Sequence, residues 1–227
     1  MNKNYLGTFL ISLLTLGSLS AFAQVEQVTS LTVTNPGGLI ATIDQYQASI
    51  DNNAQSVTLL THVHDGVDPS THTVVAIYDD LAEMESAMEG RIDSAAWATL
   101  VRSLSSITTP TSQAMAIQKR TWGDNTWEEG GYLAAVMVNV ANSASWLDAM
   151  DAWNRSNKVK NPGMVRIVKL RDAPANQAVL VAGSDYAEVI NYMEGVEASK
   201  EFATLQGAAE AQMVGATYYR VAKVWRP

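Results

Sequence analysis

The sequence predicts an α+β fold made of two fused β-α-β-β-α-β units whose antiparallel sheets face each other as a barrel. Two observations predict it. The second half of the chain repeats the first at a spacing of about 105 residues, and each half carries the same order of strand-like and helix-like segments. The repeat is strongest where Asp80 to Leu100 (DLAEMESAMEGRIDSAAWATL) is laid on Asp185 to Leu205 (DYAEVINYMEGVEASKEFATL), with 10 of 21 positions identical. Composition allows such a core: of 227 residues 47% are apolar and none is cysteine, so stability must come from burial without disulfides.

Residues 1–23 read as a signal peptide, with Lys3, an apolar run from Leu6 to Leu19 and the small-residue pattern Ala21-Phe22-Ala23. That run is shorter than the roughly 20 residues needed to cross a bilayer. The expected product is a secreted, periplasmic chain beginning at Gln24 and keeping no membrane span. Loss of Lys3 makes the formal charge of -8 one unit more negative. An acidic protein of this kind has no electrostatic reason to bind nucleic acid or anionic lipid.

The first unit spans 24–122, a glycine-flanked polar linker 123–131, and the second unit 132–227. In the first, residues 24–30 read as a polar lead-in and Leu31 to Thr34 as a short strand. Asn35 then caps a helix whose Leu39, Ile40, Ile43 and Tyr46 share a face. In the second, Leu133 to Val140 is the strand, Asn142 the cap, and Trp146, Leu147, Met150 and Trp153 the inner face. Two strands joined by a polar turn follow in each unit: Ser56 to His64 with His72 to Tyr78, then Met164 to Arg171 with Gln177 to Gly183. The next helices open near Asp80 and Asp185 and are expected to break at Gly90 and Gly195. Further helical pieces carry Trp97 and Leu100, or Phe202 and Leu205, and Gln113 to Trp122 and Thr217 to Trp225 close the units.

This order is the ferredoxin-like split arrangement, a four-stranded antiparallel sheet with both helices on one face. The other face would be left wet in a lone unit. Closing the second sheet over the first solves this, which makes the chain an intramolecular pseudo-dimer with an interior between the sheets.

The stretches Val74-Val-Ala-Ile-Tyr-Asp-Asp-Leu-Ala-Glu-Met with Ser94 and Trp97, and Val179-Leu-Val-Ala-Gly-Ser-Asp-Tyr-Ala-Glu-Val with Ser199 and Phe202, resemble the dimeric α+β barrel superfamily. That group includes antibiotic-biosynthesis-type monooxygenases and haem-degrading relatives. The resemblance implies a barrel usually built by two chains, with working residues in a cavity between sheet and helices. Its haem-degrading members use an asparagine, a tryptophan and a histidine. Asn35 and Asn142 sit at helix caps and neither second helix carries a histidine, so the trio does not transfer.

Three groups of residues are candidates for chemistry. His62, His64 and His72 lie on one hairpin, and a turn centred near Asp68 would put all three on one face, a set that could hold Zn or Cu. Their counterparts Lys169, Arg171 and Gln177 suit a solvated hairpin end instead. The tryptophans mostly answer to apolar twins and read as core, except Trp127, which lies in the linker without a counterpart. The third group is polar residues on strands otherwise rich in valine and alanine: Tyr78, Gln118, Asn139, Arg166, Tyr218, Tyr219 and Arg220. These could line a ligand space between the sheets or solvate strand edges.

No serine-histidine-acid set or glycine-rich phosphate loop is present in the sequence. Three readings follow. The first is a small-molecule-binding protein with its ligand inside the barrel, with a monooxygenase-like reaction as its enzymatic form; the second is a non-enzymatic envelope or interaction scaffold; the third is the histidine metal site. No other cofactor is expected.

Overall fold

The computed structural model describes residues 23–49, 54–64, 69–124, 127–156, 163–208 and 210–226, with the backbone alone at 201, 205, 206 and 208. Residues 1–22 of the expected signal peptide, the turn at 65–68 and the Leu205 side chain lie outside this set. The element order is β1 (Val25–Val33), α1 (Pro36–Gln47), β2 (Ser56–His64), β3 (His72–Tyr78), α2 (Leu81–Ile92), α3 (Ala95–Leu104) and β4 (Thr108–Gly123). It continues with β5 (Tyr132–Val140), α4 (Ser143–Ser156), β6 (Gly163–Arg171), β7 (Gln177–Gly183), α5 (Tyr186–Glu197), α6 (Lys200–Ala208) and β8 (Ala211–Trp225).

All pairings are antiparallel, and the strands close into a barrel in the order β1-β3-β2-β8-β5-β7-β6-β4. The longest strands make closure possible. β4 pairs with β1 along one half of its length and with β6 along the other, and β8 likewise joins β5 to β2. This double duty explains why these strands begin several residues earlier than the apolar pattern suggested. Side chains tie the joints as well: Trp225 on β8 donates from Nε1 to Asp44 on α1 at 2.6 Å, and Arg120 on β4 reaches Asp151 on α4 at 3.1 Å.

Residues 25–30 are not a lead-in but the body of β1, which lies between β3 and β4. The alternation is hidden in the sequence because two of the inward positions, Glu26 and Ser30, are polar and yet buried. The second helices also run past Gly90 and Gly195. They stop at serines, since Ser94 Oγ accepts from the Trp97 amide at 3.0 Å and Ser199 Oγ from the Phe202 amide at 3.1 Å, each starting a new helix. The serine-aromatic pattern is therefore an N-cap. The expected caps Asn35, Asn142, Asp80 and Asp185 all accept a backbone N–H of the following turn.

Three cores result. One lies between the first-half sheet and α1–α3, built on Leu39, Ile43, Tyr46 and Leu59, and is joined by Trp225. A second lies between the other sheet face and α4–α6, around Trp146, Met150, Ile167 and Val189. The third fills the barrel with Leu60, Val75, Ile77, Met164, Val168 and Leu180. The middle of the barrel is thus packed with side chains, and its larger spaces lie elsewhere.

Candidate functional site

The largest sheet–helix cavity lies in the first half. It measures about 420 Å³ and is walled by apolar Leu31, Leu39, Ile43, Val74, Leu100 and Leu104. Arg91, near the end of α2, places its guanidinium in this wall. Nη1 donates to Gln27 Oε1 at 3.1 Å, Nη2 donates to Tyr78 Oη at 2.5 Å, and Cζ lies 4.5 Å from the centroid of the Trp97 ring. Two hydrogen bonds and a cation–π contact from three elements hold one charged group over an apolar space. Tyr78 is fully buried, and desolvation raises its phenol above the usual range while the Arg91 charge and hydrogen bond pull it back.

The second half has a cavity of about 310 Å³ in the equivalent place, between its sheet and α4–α6. Its wall is mostly apolar: Val136, Val138, Val179, Val181, Val196 and Phe202 stand there, with Trp146 and Met150 from α4 and Glu197 of α5 as a charged member. Burial pushes the Tyr192 phenol far up.

The seven polar strand residues are scattered. Arg166 is buried inside the barrel and ion-paired with Glu26; Gln118 takes the β4 position opposite Val168; Tyr219 packs with the barrel core. Tyr78 and Tyr218 instead belong to the sheet–helix layers. Asn139 accepts from the Asn176 amide at 3.1 Å at a turn, and Arg220 is exposed. No single space between sheets gathers them.

The histidines also separate. The β2–β3 register puts His72 opposite Thr61, three residues from the His64 that a turn centred on Asp68 would place there. A bulge between His62 and His64 then breaks the alternation along β2. His62 pairs with Tyr219, meets its ring edge-to-face at 4.8 Å and bonds Thr73 Oγ1 at 2.8 Å, while His64 pairs with Tyr218 and meets Tyr186 of α5 at 6.0 Å. His72, whose pKa burial lowers, bonds Thr71. Among the described residues no group of three His, Cys, Asp or Glu could hold a metal ion.

The residues that sequence reading missed are Arg91, Gln27 and Trp97 as a unit. A signal was present: Arg91 falls inside the best-matched stretch of the repeat, where its twin is Val196.

No known family profile and no curated protein matches this sequence. The fold is that of ferredoxin-like α+β proteins and is shared with solved structures. A candidate monooxygenase of Fusobacterium nucleatum superposes with a TM-score of 0.62 at 11% identity, over 90% of this chain and 95% of that one. An anthrone oxidase-like protein gives 0.55 at 12% identity, over 92% and 94%. A haem-binding protein from Thermus thermophilus gives 0.56 at 8% identity, over 88% and 92%. At such identities these likenesses concern the fold.

The residues present do not fit haem. Haem iron is held by an axial histidine, thiolate, tyrosinate or histidine–methionine pair. Among the described residues neither cavity is lined by histidine or cysteine. The tyrosines that do line them are committed to ring packing, Tyr46 on Trp97 and Tyr192 on Trp153, and burial of Tyr192 opposes the tyrosinate form.

Proposed function

We propose that this chain is a secreted, periplasmic small-molecule-binding protein, and that its ligand occupies the first-half sheet–helix cavity. The ligand class is a flat apolar body with one acidic oxygen, a phenol, enol or carboxylate. The observation that carries this is Arg91, a cation held by Gln27, Tyr78 and Trp97 on the wall of a mainly apolar space of about 420 Å³. A guanidinium in low dielectric favours the deprotonated form of a nearby oxygen acid. The same contact suits a monooxygenase-like reaction, because an enolate or phenolate reacts with oxygen more readily than its conjugate acid, and the names of the candidate monooxygenase and anthrone oxidase-like neighbours agree with that chemistry. The repeated element order, and the same in-half strand order β4-β1-β3-β2 and β8-β5-β7-β6, support a tandem duplication acting as a pseudo-dimer.

The test is extraction of small molecules from protein purified out of the periplasm, wild type beside Arg91→Leu. An acidic compound present near one equivalent in the wild type and absent from the variant supports the reading. A compound retained by Arg91→Leu contradicts it.

A further inference from the structure

A third space lies at one end of the barrel, away from both sheet–helix cavities. Trp127, from the segment joining the halves, folds over this end and is buried there at 6% exposure. Its segment is stitched to β8 and the residue beyond: Gly130 N donates to Val221 O at 2.9 Å, Val224 N to Glu129 Oε1 at 3.0 Å, and Arg226 Nη2 to Trp127 O at 2.8 Å. Beneath is a cavity of about 340 Å³ lined by Gln55, Ser56, Thr58, Trp127, Arg166 and Arg226, among others. Its floor is Arg166, paired behind the wall with Glu26, both almost fully buried.

Two features of this lining, and one of the strand beside it, point to a ligand. Among the described residues that line it, the charged side chains are both arginines, and their carboxylate partners, Glu26 of Arg166 and Glu128 of Arg226 at 3.4 Å, are not part of the wall. The Trp127 indole N–H is buried without a hydrogen-bond partner. On neighbouring β4, Gln118 Oε1 and Thr121 Oγ1, at the positions facing Val168 and Arg166 across the ladder, are also buried without one. Such groups are costly to bury if nothing meets them. An occupant with an acceptor for the indole N–H would meet the one that lines the cavity.

We infer that this barrel mouth is a second binding site, for a sugar acid. The carboxylate belongs with Arg226 and Arg166, the ring hydroxyls with Gln55, Ser56 and Thr58, and the apolar C–H face of the ring with the Trp127 indole beside the Arg166 guanidinium, which lies 5.4 Å from the indole centroid. This combination of amides, hydroxyls, one aromatic face and guanidinium groups differs in kind from the apolar walls around Arg91. The barrel mouth can therefore be occupied whether or not the Arg91 cavity holds a ligand of its own.

The experiment is calorimetric titration of the intact mature protein with glucuronate, beside glucose, which lacks the carboxylate, and hexanoate, which lacks the hydroxyls. Glucuronate is expected to bind saturably, and both controls at least tenfold more weakly. Arg226→Gln, on an exposed rim, weakens glucuronate at least tenfold; Trp127→Phe, which keeps an aromatic ring and removes the N–H, weakens it severalfold; Arg91→Gln leaves it unchanged. Absence of saturable binding, meaning that water alone fills the space, overturns the inference. So does equal binding of glucose, or loss of binding in Arg91→Gln with retention in Arg226→Gln.

Discussion

The two sheet–helix cavities occupy equivalent places and are lined by different side chains, four of which bear on charge. Gln27, Tyr78, Arg91 and Trp97 of the first half stand where the second has Ala134, Gly183, Val196 and Phe202. One cavity therefore carries a supported cation, and the other is walled mainly by valines and aromatic rings, with Glu197 as a charged lining residue. The four positions differ together for a physical reason. A half-buried guanidinium against an apolar wall costs less when it has partners, and Arg91 finds them in Gln27, Tyr78 and Trp97. The barrel interior shows the same rule, since Glu26 and Arg166 stand where the other half has Leu133 and Thr58.

The comparison breaks most sharply if the cation is moved without its partners. Val196→Arg should destabilise the protein by about 3 kcal/mol, the scale of an uncompensated buried charge. Adding Ala134→Gln and Gly183→Tyr should recover part of that loss in urea denaturation. The reverse exchange is milder. Arg91→Leu leaves the buried Tyr78 hydroxyl without its donor, a cost of about 1–3 kcal/mol, and it removes the charge that pulls the Tyr78 phenol back toward its usual range. Tyr78 should then ionise at still higher pH in a spectrophotometric titration.

The barrel pair makes a prediction about pH. Desolvation raises the Glu26 carboxyl above its ordinary 4.5, outweighing the charge and hydrogen bond of Arg166. A raised folded-state pKa means that the native state holds the proton longer than the unfolded chain. Glu26 therefore contributes most below the unfolded value, and this contribution is lost as pH rises through the folded one. Stability measured from pH 4 upward should carry a falling component that disappears in Glu26→Gln. The smallest effects belong to features the halves share: Ser94→Ala and Ser199→Ala should each cost about 1 kcal/mol as lost caps, and by equal amounts within error.

Much of the fold can be read from the residues, because capping and apolar period are local. Asn35, Asn142, Asp80 and Asp185 announce helix starts, and the hairpins follow from alternation. What fails are places where a distant partner decides. β1 is cut short in the sequence because Glu26 looks like a surface residue until Arg166, 140 positions away, is beside it. The histidine cluster dissolves because β3 pairs His72 with Thr61 and the register of β2 against β8 shifts between His62 and His64. For the site, the repeat holds the signal in the substitution of arginine for valine at positions 91 and 196. Only the packed structure shows that Gln27, Tyr78 and Trp97 converge on that arginine.

In the proposed function, Arg91 makes the first cavity a site for an acidic, flat, apolar molecule. This is tested most directly by calorimetric titration of 2-naphthoate and its neutral amide into the wild type, Arg91→Gln, and a variant with the second cavity filled by Val179→Phe. The account predicts that naphthoate binds the wild type and Val179→Phe alike, binds Arg91→Gln at least tenfold more weakly, and outcompetes the amide by a similar factor. Equal affinity of naphthoate for the wild type and Arg91→Gln would contradict it.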